Sequence, residues 1–287
     1  MADRRRILVT SALPYANGAI HLGHILEHIQ TDIFVRFQRL RGHECIYVCA
    51  DDVHGTAVML NAESDNLSPE AYTAEITANH IRDFEAFLIS HDCYSTTHHA
   101  ENKSRTEEIY HRLKQAGQVK KASVEQLFDT QKQLFLADRF VTGGCPNCKA
   151  PDQYGDNCDA CGATYAATDL LNPISKLSNT PPELRSSDHI FFALSNFTDF
   201  LKEWTNSGTL HPAVTNKLAE WLDEGLQDWD ISRDAPYFGF EIPDEPGKYF
   251  YVWMDAPIGY MATFAQYCQA NAINFEDYWR PDSECEV

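Results

Sequence analysis

A strand–loop–helix–strand pattern near the N-terminus constrains the fold of this chain more than any other feature. Ile7–Thr10 is a short apolar, β-branched run typical of a buried strand, and the loop-forming segment Ser11–Gly18 follows it. A helix is predicted over residues 24–41, and Cys45–Cys49 is a second buried strand. The apolar stripe that this helix is expected to bury consists of Ile25, Ile29, Ile33, Phe37 and Leu40. Since strands joined through one helix are parallel, the pattern predicts an α/β fold on a parallel sheet.

The rest of the chain divides by composition into an α/β pattern that an insertion interrupts. Further helices are predicted from Ser68 to Phe87 and over residues 100–116, and a further strand over Lys248–Trp253. Between residues 119 and 230 the regular pattern gives way to short strands and turns. We therefore predict an α/β domain over residues 1–117, an inserted domain over 118–230, and a return to the α/β domain over 231–287.

Four of the nine cysteines form two C-x-x-C pairs inside the inserted segment, with nine residues between the pairs. Two such turns place four thiolates tetrahedrally around Zn²⁺ and leave no open position, which is typical of a structural site. We predict one structural zinc ion per chain in a knuckle over about residues 140–165, held by Cys145, Cys148, Cys158 and Cys161. An odd number of cysteines disfavours a disulfide framework, so we expect a reducing, cytoplasmic location.

The chain is strongly acidic, with 23 Lys and Arg against 42 Asp and Glu and a net charge of −19. Such a surface disfavours non-specific coating of DNA and polybasic docking on membranes. Apolar residues make up 44% of the chain, enough for a sizeable core, yet no stretch approaches the ~20 apolar residues of a membrane span. Arg4–Arg6 imitates the start of a signal peptide, but the apolar run after it ends at once, so a first strand is predicted instead.

The segment His21-Leu22-Gly23-His24 lies where the first loop enters the first helix, at the carboxyl end of the first strand. In open α/β sheets this crevice binds ligands, and a helix N-terminus offers N–H groups and partial positive charge to a phosphate. Two imidazoles there can donate hydrogen bonds to phosphoryl oxygens, and a glycine lets a nucleotide approach the backbone closely. The sequence has neither a P-loop nor a G-x-G-x-x-G string, so any ATP is held in another way.

A competing motif overlaps this segment. His24-Ile25-Leu26-Glu27-His28 matches H-x-x-E-H, the pattern of an inverted zinc peptidase, in which both histidines bind the metal and Glu27 is the general base. No convincing third ligand is apparent in the sequence. The zinc peptidase stays open as a second hypothesis, and it predicts two zinc ions per chain instead of one.

Longer strings complete the pattern around the histidines. Ala12–Gly18 leads into His21, and further strings are Ala50–Thr56, Trp229–Asp234 and Tyr251–Tyr260. Together with the histidine segment and the cysteine insertion, they resemble class I aminoacyl-tRNA synthetases, whose signature has the form His-x-Gly-His, and in particular the methionyl-tRNA synthetase family. The resemblance implies a Rossmann-like, doubly wound parallel sheet with an inserted zinc-knuckle domain. Residues 1–117 would be the first half of the catalytic domain, 118–230 a connective domain, and 231–287 the start of the second half.

The resemblance also implies an ATP-dependent ligase. The carboxylate of methionine attacks the α-phosphate of ATP, which gives methionyl-adenylate and pyrophosphate, and the terminal ribose hydroxyl of an initiator or elongator methionine tRNA then takes the methionyl group. His21 and His24 are the implied catalytic residues, holding the ATP phosphates through the transition state with Mg²⁺ assisting. The implied ATP-binding residues are Tyr15, His21, Gly23 and His24.

The methionine pocket follows partly from the residues themselves. Asp52 comes directly after the second strand, where a carboxylate can pair with the substrate ammonium. Aromatic rings suit a thioether, whose contacts with them are worth ~0.3–1.5 kcal/mol. The implied methionine-binding residues are Ala12, Leu13, Tyr15, Asp52, Trp253, Ala256, Pro257 and Tyr260. Arg233 either faces this site or pairs with a nearby carboxylate. Thr142 stands where some relatives have Lys, so no ATP contact is expected there.

Two features of the family are missing from the sequence: the Lys-Met-Ser-Lys-Ser loop and the helical anticodon-binding domain. We therefore expect an incomplete catalytic core, a truncated polypeptide, and little or no aminoacylation by this chain alone. A third hypothesis is a catalytically inactive module that contacts tRNA through the zinc knuckle.

Overall fold

The computed structural model describes residues 4–280 and 282–287. Two compact units divide these residues. The first takes the chain up to Tyr110 together with Tyr237–Asp244 and Phe250–Val287, and the second takes His111–Pro236 and Glu245–Tyr249. None of the helices within the described ranges is both long and apolar enough to span a membrane.

The helices and strands follow one another along the chain as the βαβ pattern and the insertion suggest. The α-helices are α1 (Leu22–Leu40), α2 (Thr56–Ser64), α3 (Pro69–Ala86), α4 (Ala100–Gln115), α5 (Thr198–Thr205), α6 (Pro212–Glu224), α7 (Val252–Asn271) and α8 (Glu276–Trp279). The strands are β1 (Arg6–Thr10), β2 (Glu44–Asp51), β3 (Cys93–Thr96), β4 (Val119–Asp129), β5 (Leu134–Phe135), β6 (Val141–Gly144), β7 (Gln153–Tyr154), β8 (Leu171–Ser175), β9 (Glu183–Phe192), β10 (Trp229–Asp230), β11 (Ser232–Asp234), β12 (Lys248–Phe250) and β13 (Cys285–Glu286). Short 3₁₀ turns lie at Asp138–Phe140, Ala167–Asp169 and Leu194–Phe197.

A parallel sheet of four strands, in the order β13-β1-β2-β3, forms the centre of the first unit. Side chains alternate across each strand, so the sheet buries two different apolar faces. On one face Tyr47 packs with α1 and with Phe84 of α3. On the other face Leu8 packs with Phe264 of α7. Helices thus cover both faces, and the predicted α/β fold on a parallel sheet is confirmed.

The predicted buried stripe of α1 is confirmed at Ile25 and Ile29, which belong to the core or pack against it, and is wrong beyond them. Ile33, Phe37 and Leu40 are 62, 54 and 87% exposed, whereas the residues that the helix buries are Ile25, His28, Asp32, Val35 and Gln38. A strict spacing of four residues advances about 40° beyond a full turn at each step, because the helix has ~3.6 residues per turn. After three steps the stripe has left the core-facing side. Three of the positions that replace it, His28, Asp32 and Gln38, are polar, which hydropathy patterning does not indicate.

The predicted strand Lys248–Trp253 is also wrong at its C-terminal end. Strand β12 stops at Phe250 and pairs with β11 in a sheet of two strands, and helix α7 begins at Val252. Trp253 is therefore a helical residue. A short run of aromatic and β-branched residues fits a strand and a buried helix equally well, and α7 is apolar on most of its surface.

Antiparallel pairing organises the second unit. Strands β4 and β9 pair along almost their whole length and lie in the order β10-β9-β4-β5. A second sheet, in the order β7-β6-β8, surrounds the cysteine segment. Helices α5 and α6 follow β9 in the chain. The insertion thus departs from the α/β pattern as the change in composition suggests, although β4 and β9 are long instead of short.

Candidate functional site

Backbone hydrogen bonds join the segments that follow β1 and β2. The Ala16 N–H donates to the Asp52 carbonyl at 2.8 Å, and the Asp52 N–H donates to the Pro14 carbonyl at 2.8 Å. Tyr15 and Asp52 thereby form a parallel bridge just beyond the sheet. Two predicted site residues are thus neighbours because the carboxyl ends of adjacent parallel strands lie at one edge of the sheet.

His21 and His24 form the N-terminus of α1. His21 is the N-cap, and its Nδ1 accepts a hydrogen bond from the Gly23 N–H at 3.1 Å, while the His24 ring accepts from the His21 N–H at 3.4 Å. The two rings stack with their centroids 3.7 Å apart. A Cβ on Gly23 would lie 2.9 Å from the His21 ring, so only glycine leaves this ring in place. Burial, and then the charge of His21, lower the pKa of His24.

Asp52 has an unusual electrostatic environment. Its Oδ1 is buried and has no hydrogen-bond partner. Burial, and then the charge of Asp255, raise the pKa of Asp52 to about 8. A carboxylate oxygen without a partner in a mostly buried position is a binding place for a cation, because a paired cation removes the cost of burying the charge.

Helix α7 presents three of the predicted pocket residues on one face. Trp253, Pro257 and Tyr260 follow one another at spacings of four and three residues, so they lie on the same side of the helix. Trp253 is 61% exposed and Pro257 is exposed, while Ala256 beside them is buried. This side of the helix is open at Trp253 and Pro257, and it becomes core at Phe264, four residues after Tyr260.

The loop after β1 reaches this helix through Leu13. A Cβ on Gly259 would lie 3.0 Å from the Leu13 side chain, and a hydrogen bond joins the Tyr260 phenol to the backbone of Leu13. The Ala12 N–H donates to Glu27 of α1 at 2.5 Å. The structure therefore brings Leu13 and Tyr260 together, and it brings Tyr15 and Asp52 together, within one compact unit.

Sequence reasoning missed the buried polar pairs behind these residues. Asp51 accepts hydrogen bonds from His80 at 2.7 Å and from the Tyr94 hydroxyl at 2.6 Å. His54 lies 2.5 Å from Asp255 of α7. The partners lie 29, 43 and 201 residues apart. The only sequence signal was the pair of aspartates, Asp51 and Asp52, at the end of a strand. That signal does not indicate which residues pair with them.

The four cysteines of the insertion lie together in the second unit. One sulfur from each of Cys145, Cys148, Cys158 and Cys161 lies within 4.8 Å of the others. The Cys145–Cys161 and Cys148–Cys158 sulfur distances are 3.9 and 3.6 Å. A tetrahedron of Zn–S bonds of about 2.3 Å has edges of about 3.8 Å, so the arrangement fits one metal ion with four thiolates.

The two halves of the knuckle repeat the same turn. The Lys149 N–H donates to the Cys145 carbonyl at 3.0 Å, and the Gly162 N–H donates to the Cys158 carbonyl at 2.8 Å. Each donor residue has a positive φ, 62° at Lys149 and 72° at Gly162. These left-handed residues turn the chain sharply after each C-x-x-C pair, which lets the two pairs face each other.

Arg233 and Thr142 also lie in the second unit. The Arg233 guanidinium donates to the Ser232 carbonyl at 2.5 Å and lies 3.4 Å from the Asp230 carboxylate. The structure therefore shows the pairing with a nearby carboxylate that the sequence left open as one possibility. Thr142 pairs with Tyr154 in the sheet that surrounds the cysteines.

The two histidines of the H-x-x-E-H motif have different neighbours and do not face a common metal position. His24 stacks on His21, whereas His28 is buried and lies 3.3 Å from His91. In the part of the chain that the structure describes, the groups of three or more close His, Cys, Asp or Glu ligands are the cysteine cluster and a group formed by His28, Cys49 and His91. Neither group contains His24 or Glu27, so the described residues give the peptidase hypothesis no ligand set.

Comparisons with known proteins identify the family of the chain. The family model described as tRNA synthetases class I (M) matches residues 7–287. The chain is 58% identical over 283 residues to the methionine–tRNA ligase of Dichelobacter nodosus (strain VCS1703A), a match that covers 98% of this chain and 42% of that protein. The chain thus spans less than half the length of this relative.

Solved structures of Mycobacterium tuberculosis methionyl-tRNA synthetase share the fold. The crystal structure bound by methionyl-adenylate matches with a TM-score of 0.72 and 24% identity over 97% of this chain and 50% of that one. The apo form matches with a TM-score of 0.64 and 22% identity over 98% of this chain and 50% of that one. With the family model matching nearly its whole length, the chain belongs to the methionyl-type class I tRNA synthetases, as its sequence motifs indicate.

Proposed function

We propose that this chain carries the adenylate-forming site of a methionine–tRNA ligase. The substrates are methionine and ATP, the products of the first step are methionyl-adenylate and pyrophosphate, and the acceptor in the second step is the terminal ribose of initiator or elongator methionine tRNA. The observation that supports this most strongly is the buried, unpartnered Oδ1 of Asp52 at the strand end beside Tyr15. A substrate ammonium satisfies that oxygen.

Asp52 and the outward face of α7 divide the recognition of methionine between them. The carboxylate of Asp52 holds the ammonium through a charge-assisted hydrogen bond, which is worth ~1.5–3 kcal/mol. The rings of Trp253 and Tyr260 contact the thioether sulfur, whose polarizability suits an aromatic wall. The residues that complete the apolar surface of the pocket are Ala12, Leu13, Tyr15, Ala256 and Pro257.

The N-terminus of α1 binds the phosphates of ATP. The rings of His21 and His24 donate hydrogen bonds to phosphoryl oxygens, and Gly23 and Tyr15 flank the nucleotide. As the methionine carboxylate attacks the α-phosphate and pyrophosphate leaves, charge develops on these oxygens, and donors fixed in advance stabilise it. The stacked rings and the capping hydrogen bonds supply such fixed donors. Mg²⁺ arrives with ATP and neutralises phosphate charge.

The cysteine cluster holds a structural zinc ion in this proposal. Its four thiolates fill the tetrahedral coordination of zinc and leave no position for a substrate, so the metal stabilises the knuckle and takes no part in the chemistry. None of the nine cysteines forms a disulfide in the described residues, which suits the reducing, cytoplasmic location proposed from the sequence.

The domain division follows the same proposal. Residues 1–117 and 231–287 belong to the catalytic domain, and residues 118–230 form the connective domain with the knuckle at about 140–165. The antiparallel sheets that organise the second unit support a separate connective domain.

Exchange of labelled pyrophosphate into ATP tests the function directly. The full-length protein that contains this chain is incubated with ATP, Mg²⁺ and each of the standard amino acids in turn, and Asp52→Asn serves as the matched variant. We expect exchange with methionine alone and a loss of at least tenfold in the variant. An exchange rate that does not depend on methionine would reject the proposal, and peptidase activity without exchange would favour the second hypothesis.

A further inference from the structure

One cluster of ligand-type side chains in the first unit takes no part in the proposed site. His28 of α1, Cys49 of β2 and His91, which precedes β3, each offer one ligand atom within 4.8 Å of the other two. His28 and Cys49 are 1% exposed, and His91 is partly buried. Imidazole nitrogen and thiolate sulfur are the ligands that zinc and similar thiophilic ions prefer.

Hydrogen bonds hold the His28 ring in a defined orientation. Its Nδ1 lies 3.3 Å from His91 Nε2 and 3.3 Å from the Tyr47 hydroxyl, and the ring also hydrogen-bonds the backbone of Ala12. The ring nitrogen that faces the cluster is Nδ1, the atom nearest both His91 and Tyr47. Orientation of a ligating histidine by a backbone carbonyl is a recurrent feature of protein metal sites.

Burial disfavours the protonated form of both histidines. Burial lowers the pKa of His28 to about 4 and that of His91 to about 3. Neutral imidazoles keep a lone pair for a metal, and no proton has to be displaced from either ring. The negative charges of Glu27 and Asp32 act on these rings and favour a cation beside them.

The segments that carry the three ligands are fixed to one another. Asp32 of α1 accepts a hydrogen bond from the Ser90 N–H at 3.0 Å, which holds the residue before His91 against the helix. The Tyr47 hydroxyl bonds to Ser11 at 2.5 Å and remains beside His28. Cys49 makes only long sulfur contacts, 3.7 Å or more, to the Ser11, Ala12 and Ala50 carbonyls. Its sulfur can therefore turn to an ion at small energetic cost.

A surface pocket gives access to the cluster. The pocket has a volume of about 200 Å³, and His91 lines it together with Phe84 and Tyr94. Phe84 also stacks on His28, with the ring centroids 4.3 Å apart. An ion that enters beside His91 passes Glu85 and Ser90, which also line the pocket, while the rest of the lining is aliphatic or aromatic.

We propose that His28, Cys49 and His91 form a second metal site, which binds a thiophilic divalent cation of the zinc type. Two imidazoles and one thiolate supply three ligands, and the Tyr47 hydroxyl or a water molecule from the pocket completes four. On binding, the Cys49 thiol loses its proton to solvent. The site is separate from the knuckle, and its Cys49 sulfur lies 3.9 Å from the carbonyl of Ala12, a residue of the proposed methionine pocket.

Cobalt titration of the zinc-loaded protein tests the site. The full chain is first saturated at the knuckle with one equivalent of Zn²⁺, and Co²⁺ is then added, because Co²⁺ bound to a thiolate absorbs visible and near-ultraviolet light. We expect one further equivalent of metal to bind with a thiolate-to-cobalt band and to raise the Tm. Zinc content measured after the titration shows that the knuckle has kept its own ion.

Three variants test which residues bind the second equivalent of metal. Cys49→Ala and His91→Gln should each abolish the cobalt band, whereas Cys45→Ala, a buried cysteine of the same strand outside the cluster, should retain it. His91 is partly exposed, so its replacement is the variant more easily kept folded, and retained knuckle zinc reports on folding. A zinc-loaded chain that binds no Co²⁺ would overturn the proposal, as would an unchanged band in both cluster variants.

Discussion

His54 and Asp255 form a buried hydrogen-bonded pair across 201 residues of sequence. Nδ1 of His54 lies 2.5 Å from Oδ2 of Asp255, and the two side chains are 0 and 1% exposed. His54 follows Asp52 by two residues, and Asp255 lies in the first turn of α7, next to Ala256. The pair therefore fixes the segment that carries Asp52 to the helix that presents Trp253, and it places a second carboxylate near Asp52.

Asp255→Asn separates the electrostatic role of this pair from its structural role. The charge of Asp255 raises the pKa of Asp52, so its removal should lower that pKa and move the pH midpoint of methionine binding downward. Stability should fall by about 1–3 kcal/mol, because a charge-assisted hydrogen bond is weakened. Methionine KM measured against pH gives the midpoint, with the exposed Asp223→Asn as control. A lower Tm without any change of midpoint would mean that Asp255 acts through packing alone.

Asp52 should make stability depend on pH. Its pKa in the folded protein, about 8, lies above its ordinary value near 4, so the folded state holds this proton more tightly than the unfolded state does. The stabilisation from this proton is fully present below pH 4 and is lost as pH rises to about 8, at ~1.4 kcal/mol per unit.

Denaturant unfolding from pH 4 to 9 measures this effect as a difference between the wild-type protein and Asp52→Asn. The wild type should lose stability relative to the variant over pH 4 to 8, and the difference should level off above pH 8. Because the other titrating groups are common to both proteins, their contributions cancel. A constant difference over the whole range would contradict the raised pKa.

Gly23→Ala should separate helix stability from ATP use. Alanine has a helix propensity up to ~1 kcal/mol better than glycine, so the Tm should stay the same or rise. The new Cβ would lie 2.9 Å from the His21 ring, which must then move and give up its hydrogen bond with residue 23. We expect ATP KM in the exchange assay to rise tenfold or more. An unchanged ATP KM would show that the position of the His21 ring is immaterial to ATP binding.

Loss of one knuckle thiolate should release the zinc ion. Structural zinc sites contribute an apparent ~10–16 kcal/mol, so Cys145→Ser should unfold the knuckle and lose one equivalent of zinc. Cys93→Ser, outside both cysteine-containing clusters, is the control. Metal analysis together with thermal unfolding checks the result. Zinc that is absent from carefully reduced wild-type protein would contradict the structural-zinc assignment.

Local patterns predicted the parts of the molecule that depend on neighbouring residues. The strand–helix–strand start follows from apolar runs and turn residues, and the cysteine cluster follows from the spacing of its two C-x-x-C pairs. The placement of Asp52 beside Tyr15 follows from the rule that parallel strands end at one edge of a sheet.

Features that depend on distant residues escaped prediction. His54 and Asp255 meet only because the chain returns to the first unit after the insertion, and no local pattern encodes that return. The buried face of α1 includes His28 and Asp32, whose burial depends on His91, Ser90 and other partners supplied by the fold. The strand predicted over Lys248–Trp253 ends at Phe250 and not at Trp253, because the rest of the apolar run also fits a buried helix.

The central claim, that Asp52 binds the substrate ammonium, is tested most directly by changing protein and ligand together. Calorimetry compares the binding of methionine and of its analogue without the amino group to the wild-type protein and to Asp52→Ala. The account predicts that the wild type prefers methionine by about 10- to 150-fold, equivalent to ~1.5–3 kcal/mol, and that the variant loses this preference. If Asp52→Ala still prefers methionine by the same factor, the ammonium is bound elsewhere and Asp52 is only a turn residue.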